Sequence, residues 1–492
     1  MNLFAERRAG VLLHPTSLPG AEARGTFGAE ARRFVEWLAE GGFSVWQTLP
    51  LGVTDAYGSP YALRSAHAGD PRFIDAADLS NVAELPAGID AAGDRAARYA
   101  SFAALATADQ QRAFARFVRA HRRWLEPYAL FELLSGRFEE LPWWQWPAPY
   151  RDRDAAALRE CRASGREQLR ALELEQYLFE LQWSALKRYA NDRGVHLFGD
   201  LPFYVDRNNV DVWWQRNLFA VDASGHPLAV AGVPPDYFNA DGQLWGNPLY
   251  DWAAMEQSGF RWWLERIGTQ LERFDLLRID HFRALESYWA IPAGAPTARL
   301  GEWQPGRGDA LLKALRAEMG EIPLVAEDLG IITDEVRALR DRFEIPGMVV
   351  LHFAFDGSPD NPYLPARHRR NAVVYTGTHD NDTTVGWWNS TGVNDSTRRP
   401  EEVQREREFV LEYLGVNGSE IHWAFIRAVL ASVANLAMVP LQDVMGLGSD
   451  ARMNLPARAS GNWQWRYLPG MLTDAMLERL RELTILFGRA PK

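Results

Sequence analysis

Eight short, strongly apolar runs recur along this chain with helical stretches between them, and that alternation constrains the fold more than any other feature. The runs are Gly10–Leu13, Ser44–Leu49, Val195–Asp200 and Asp275–His281, then Ile322–Leu329, Met348–Phe353, Ala372–Thr378 and Ala437–Val444. Several, such as Met348-Val349-Val350-Leu351, are apolar at every position, as strands covered on both faces should be. Eight parallel βα units close most economically as a (β/α)8 TIM barrel, so the expected class is α/β with one barrel spanning residues 1–492. Two connections are too long for ordinary turns. About 145 residues separate the second and third runs, with helical character over Ser101–Leu134 and Ala155–Asn191. About 75 separate the third and fourth and are rich in Trp, Asn, Pro and Gly. We expect a helical insertion over 55–192 and an aromatic-rich lid over 204–260. Both leave the C-terminal ends of strands, the face on which barrel active sites are built.

Charge and cysteine content exclude several functions. With 53 basic and 64 acidic side chains the net charge is −11, which argues against a nucleic-acid or anionic-membrane surface. Cys161 is the only cysteine, so neither an internal disulfide nor a cysteine-based metal site is available. The longest apolar tract, Ala428 to Val439, is broken by Ser432 and Asn435 and falls short of the roughly 20 residues that span a bilayer. The opening apolar run, Val11-Leu12-Leu13, is too short for a signal-peptide core. A cytoplasmic protein is expected. Trp is unusually frequent, at 20 of 492 residues.

Acidic residues collect where the apolar runs end: Asp200 after the third, Asp280 after the fourth, Glu327 and Asp328 after the fifth, Asp380 and Asp382 after the seventh. A carboxylate at the end of a buried strand is costly without a partner or a use. Four such strand ends on one rim, with Arg278 and His379 nearby, suggest glycoside chemistry. A retaining mechanism needs a carboxylate nucleophile about 5–5.5 Å from a carboxylic acid. Arg278, two residues before Asp280 on a strand, projects to the same face and favours an ionised Asp280. Glu327, after an apolar run, suits the acid, while Asp328 points the other way and is expected to cap the next helix. Asp380 is the candidate transition-state stabiliser, with Asp382 as a helix cap, and His281 and His379 donate to sugar hydroxyls. The neighbours of these histidines lack zinc-ligand spacing, so no metal and no cofactor are expected.

Three stretches, Arg278-Ile-Asp280-His-Phe-Arg283, Ala326-Glu327-Asp328-Leu-Gly330 and Gly377-Thr-His379-Asp380-Asn381-Asp382, resemble signatures of the α-amylase clan. With Gly10-Val-Leu-Leu-His-Pro-Thr-Ser-Leu-Pro19, Phe198-Gly-Asp200-Leu-Pro-Phe-Tyr-Val205, Gly232-Val-Pro-Pro-Asp-Tyr237, Trp245-Gly-Asn-Pro-Leu-Tyr250, Gln442-Asp443 and Gly461-Asn-Trp-Gln-Trp465, the ordered set is similar to one family, the amylomaltases of glycoside hydrolase family 77. The resemblance implies a 4-α-glucanotransferase moving α-1,4-glucan segments to another glucan or to glucose. It implies Asp280 as nucleophile, Glu327 as acid/base and Asp380 as stabiliser. Asp200, Arg278, His281 and His379 would hold the donor sugar, and Tyr61 would stack on it. Asp236, Tyr237 and Phe238 would lie on a lid, Trp245 beside the acceptor sites, and Asn247 and Asn462 would also contact substrate. Two stretches depart from the family pattern, His67 to Asp70 and Pro456 to Ser460. A plain α-glucan hydrolase with the same triad, or an inactive glucan-binding protein, are the alternatives, and the oligomeric state is open.

Overall fold

Each of the eight apolar runs pairs its backbone with two neighbours. In the computed structural model, which describes residues 3–20, 23–235, 241–392, 399–456, 458 and 460–491, they form β1 (Arg8–Leu12), β2 (Val45–Gln47), β3 (His196–Leu201) and β6 (Leu276–Ile279). The other four are β9 (Leu324–Ala326), β10 (Gly347–Val350), β11 (Ala372–Tyr375) and β12 (Leu436–Pro440). All pair in parallel, and the ring closes in the order β1-β12-β11-β10-β9-β6-β3-β2. The expected (β/α)8 barrel is present; most strands are shorter than the apolar runs, whereas β1 begins at Arg8 and β3 keeps Asp200 in its ladder.

Alternation along the strands decides what fills the barrel. Val45, Phe198, Leu276, Val325, Met348, Val350, Val373, Tyr375, Leu436 and Met438 form one buried cluster, separate from the larger cluster that packs the strands against the helices. Side chains two residues apart share a face. Asp200 therefore sits above Phe198, Arg278 above Leu276 and Glu327 above Val325, and the inward face turns from apolar to charged at the C-terminal rim. Gly10 belongs to the same packing: a Cβ there would lie 2.5 Å from the Met438 sulfur and 2.7 Å from the Val45 Cβ.

The connection after β2 holds helices Arg95–Leu105, Ala108–Ala120, Arg122–Arg137, Ala155–Ser164 and Arg166–Asn191. The last of these returns to the barrel, its Trp183 ring packing on Phe274 and donating to the Arg273 carbonyl (3.0 Å). The connection after β3 is more ordered than the lid expected from its composition. It carries β4 (Ala229–Val233) and β5 (Gln243–Pro248), which join β7 (Ser287–Pro292) and β8 (Glu302–Pro305) from the following connection in an antiparallel sheet of order β5-β4-β7-β8. Trp213 and Trp252, within the stretch expected to form an aromatic-rich lid, are buried, and Trp252 packs on Trp263. Aromatic content alone does not separate a sugar-binding surface from a packed one, because both exploit the same large flat area.

Candidate active site

The centre of the rim is Arg278. Its position on β6 puts it level with Asp200 on β3, its register partner, and its buried guanidinium donates to the Asp200 Oδ2 (2.6 Å) and the Asp280 Oδ1 (2.9 Å). The Tyr61 hydroxyl, from the connection after β2, donates to the same Asp200 oxygen (2.7 Å) and lies 2.8 Å from the His379 Nε2. Since that hydroxyl gives its proton to Asp200, it can only accept from His379, which assigns a proton to the histidine Nε2. The two rings lie nearly parallel, with centroids 5.4 Å apart, and the Trp463 ring stands 6.0 Å from Tyr61.

Glu327 is held by backbone. The His281 N–H donates to its Oε2 (2.8 Å) and the Leu329 N–H to its Oε1 (3.2 Å). His281 can aim its amide there because it takes the left-handed conformation (φ 49°), uncommon for a non-glycine residue and often a mark of function. Its ring stands edge-on to Trp245 at 4.9 Å, and burial, with help from Arg283, pulls its pKa down to about 3, so it is neutral at ordinary pH. Asp380 accepts from the Asn454 amide (2.6 Å), and Arg452 donates to its backbone carbonyl.

One guanidinium faces four carboxylates, and they cannot all be ionised cheaply. Burial, with Asp200, Glu327 and Asp380 adding to it against Arg278, pushes Asp280 up to about 8. Burial also raises Glu327, opposed by Arg278 and by the His281 amide. Burial would raise Asp380 too, but His379, the Asn454 amide, Arg278 and Arg452 outweigh it and hold Asp380 below the ordinary carboxylate range. Asp280 and Glu327 therefore share a proton as a pair, with Asp380 the firm anion.

Tyr61, Asp200, Arg278, Asp280, His281, Glu327, His379, Asp380 and Trp245 thus come together from widely separated stretches. Asn247 and Asn462 are placed differently. The Asn247 amide donates to the Val205 carbonyl (2.9 Å), and Asn462 braces its own loop, accepting from the Leu455 N–H and donating to the Leu455 and Arg458 carbonyls. Asp236, Tyr237 and Phe238 lie outside the described residues, as do Ala457 and Ala459 of the second departing stretch. His67 of the first is buried, its ring stacked on Trp124 and its Nδ1 3.0 Å from the Thr269 hydroxyl. Asp328 is not a helix cap: it accepts from the Met348 N–H (2.8 Å) and pairs with Arg340, while Thr333 precedes the next helix. Nor is Asp382, which accepts from Ser449 (2.7 Å), since Thr383 caps the helix Thr384–Asn389. Asn454 and Arg452, which grip Asp380, were not singled out in the sequence. Among the described residues no group of three or more His, Cys, Asp and Glu side chains is arranged to hold a metal ion.

The model of the 4-alpha-glucanotransferase family matches residues 13–472. The chain belongs to the 4-alpha-glucanotransferase family. A 4-alpha-glucanotransferase of Thermus thermophilus is 44% identical, over 97% of this chain and 98% of that protein. One from a Synechocystis strain is also 44% identical, over 99% of each. The solved amylomaltase of Streptococcus agalactiae, in complex with acarbose, superposes with a TM-score of 0.91 at 33% identity, covering 99% of this chain and all of that one. Enzyme class and barrel are thus those the sequence leads one to expect.

Proposed function

We propose that this 4-alpha-glucanotransferase moves α-1,4-glucan segments from a malto-oligosaccharide donor to the 4-hydroxyl of a second glucan or of glucose by retaining double displacement. Asp280 attacks the anomeric carbon while Glu327 protonates the departing 4-oxygen, giving a glycosyl-enzyme and a free reducing-end fragment. Glu327 then takes the proton from the incoming 4-hydroxyl as that oxygen displaces Asp280, so the new bond is again α. Neither step needs a metal or an organic cofactor.

The observation that carries this reading is the unequal treatment of the two proton-sharing carboxylates. Asp280 touches the Arg278 guanidinium directly, whereas Glu327 is held by neutral amides. The shared proton therefore rests on Glu327, leaving one acid and one nucleophile. Asp380, the firmly ionised member, would stabilise the oxocarbenium-like transition state. Asp200, Tyr61 and His379 offer hydrogen bonds to the donor sugar, and the 39% exposed Trp245 offers a flat face to the acceptor. A cytoplasmic setting fits a chain whose single cysteine is buried and free.

Maltotriose as sole substrate tests the proposal. Transfer yields glucose together with maltopentaose and longer chains; glucose and maltose alone would show a hydrolase instead.

A further inference from the structure

Beneath the loop that carries His379 and Asp380 lies a second buried carboxylate that the mechanism does not use. Asp443, on the turn Leu441–Val444 that follows β12, is 1% exposed. Among the described residues neither Lys nor Arg pairs with it. Its partners are instead the two ends of one loop. The Oδ2 accepts from the Thr376 hydroxyl (2.5 Å), just past β11, and from the Thr384 hydroxyl (2.8 Å). The Oδ1 accepts from the Thr384 N–H (2.6 Å), at the first residue of the helix Thr384–Asn389. Because the Thr384 hydroxyl donates to Asp443, it accepts from the His352 Nε2 (3.1 Å), and His352 lies just past β10. One carboxylate thus ties together the ends of three adjacent barrel strands. Between the two threonines it grips lie residues 377–383, whose His379 meets Tyr61 and whose Asp380 faces the reacting pair.

We infer that Asp443 is a positioning residue for the reaction, setting the height and orientation of the His379–Asp380 loop over the barrel by clamping both its ends. A buried anion without a cation is expensive, and burial does push Asp443 up. What it obtains in return is three hydrogen bonds, one from a helix N-terminus, all on the segment whose placement the chemistry depends on. The side chain stays below the loop, and no sugar contact is assigned to it. This inference rests on the role given to Asp380 above; that role fails separately if Asp380→Asn alone keeps full activity.

The test is steady-state disproportionation of maltotriose, with rates expressed per folded molecule from circular dichroism. Asp443→Ala is expected to lower kcat about 30- to 300-fold with KM within about threefold, the signature of a lost transition-state contact without a change in uniform binding. Asp443→Asn keeps an acceptor for the Thr384 N–H and two donors for the threonine hydroxyls, so it recovers much of that loss. In an Asp380→Asn background, Asp443→Ala costs less than about fivefold more, because both changes remove the same interaction. Thr384→Val, which deletes one bond to the carboxylate and keeps side-chain volume, is expected to lower kcat about tenfold and serves if the alanine variant does not fold. The inference is overturned if Asp443→Ala, or Thr384→Val in its place, leaves kcat within threefold of the parent. It is equally overturned if the losses at 380 and 443 multiply in full, which would mark Asp443 as a structural residue independent of Asp380.

Discussion

Arg278 meets two carboxylates with its two terminal nitrogens, and that single contact pattern divides the labour around the rim. Asp280 and Glu327 titrate as a pair, burial raising both against the pull of Arg278 and Asp280 to about 8, with the proton they hold resting on Glu327. A folded pKa above the unfolded one means that the folded chain holds the proton more tightly. The stability associated with it is fully present below the ordinary carboxylate pKa and is lost as pH rises through about 8. Asp280→Asn removes a charge that the site bears for chemistry, so unfolding by urea should show it more stable than the parent by about 1–3 kcal/mol at pH 8 and nearly equal at pH 4. Its transfer rate should fall at least about 10⁴-fold. A stability gain of the same size at both pH values would mean that something other than ionisation is responsible. At this scale the sequence was legible where a residue acts through spacing along one strand, as Arg278 does on Asp280. It misled where the partner comes from another strand. Asp328 reads as a cap from its neighbours in the chain but is claimed by Met348 and Arg340.

Among elements, the four-stranded sheet was the one not foreseen. Barrel strands announce themselves because both faces are covered, giving runs such as Gly347–Val350. Of the sheet strands, β4 is short and buried only over Val230–Gly232, and β5, Gln-Leu-Trp-Gly-Asn-Pro, is exposed along its first three residues and carries no apolar alternation. Its pairing is nonlocal as well, since β4 finds β7 only after the chain has passed through β6. Gly232 shows how tight the join is: a Cβ there would sit 2.2 Å from the Gln243 carbonyl oxygen. This sheet is what gives Trp245 a fixed perch beside His281 rather than a place on a mobile loop. Trp245→Ala should therefore weaken acceptor use more than donor use. We expect KM for a maltose acceptor to rise about tenfold, corresponding to roughly 1–1.5 kcal/mol of lost stacking, with a larger share of product released by water. The melting temperature should move little, because the ring is already partly exposed. An unchanged ratio of transfer to hydrolysis would remove Trp245 from the acceptor site.

The whole molecule closes at the opposite end of the barrel. The ring is completed where β1 pairs with β12, and the seam is held by a guanidinium from the far C-terminal end of the described chain. Arg489 is 1% exposed and donates to the carbonyls of Leu430 (2.6 Å), Arg8 (2.7 Å), Ser432 (2.8 Å) and Ala434 (2.9 Å), while Arg7 reaches Phe487, Leu430 and Ser432 from the other side. Several of these carbonyls end the helix Ile421–Ala431, where a cation is favoured. Burial pulls Arg489 down to about 9, which leaves it charged at neutral pH. Arg489→Ala would strand at least four buried acceptors, so we expect a loss of about 3–5 kcal/mol in urea unfolding. KM for maltotriose should be unchanged in the protein that remains folded. A loss under 1 kcal/mol would mean that water satisfies the seam as well as arginine does.

The sequence by itself determined the barrel and the rim. Two-sided burial makes parallel strands continuously apolar, and period-two alternation turns a carboxylate two residues beyond an apolar lumen residue into an inward-facing one. Both are properties of short stretches and can be read without a partner. What only the tertiary structure decided is every feature whose partners meet across the chain. These are the antiparallel sheet that seats Trp245, the His379–Tyr61–Asp200 chain, the grip of Asn454 and Arg452 on Asp380, and the clamp of Asp443 on its two threonines. In each, a polar group acquires its function from a donor or acceptor tens to hundreds of residues away, and hydrogen bonds are set by distance in space, which local pattern does not encode.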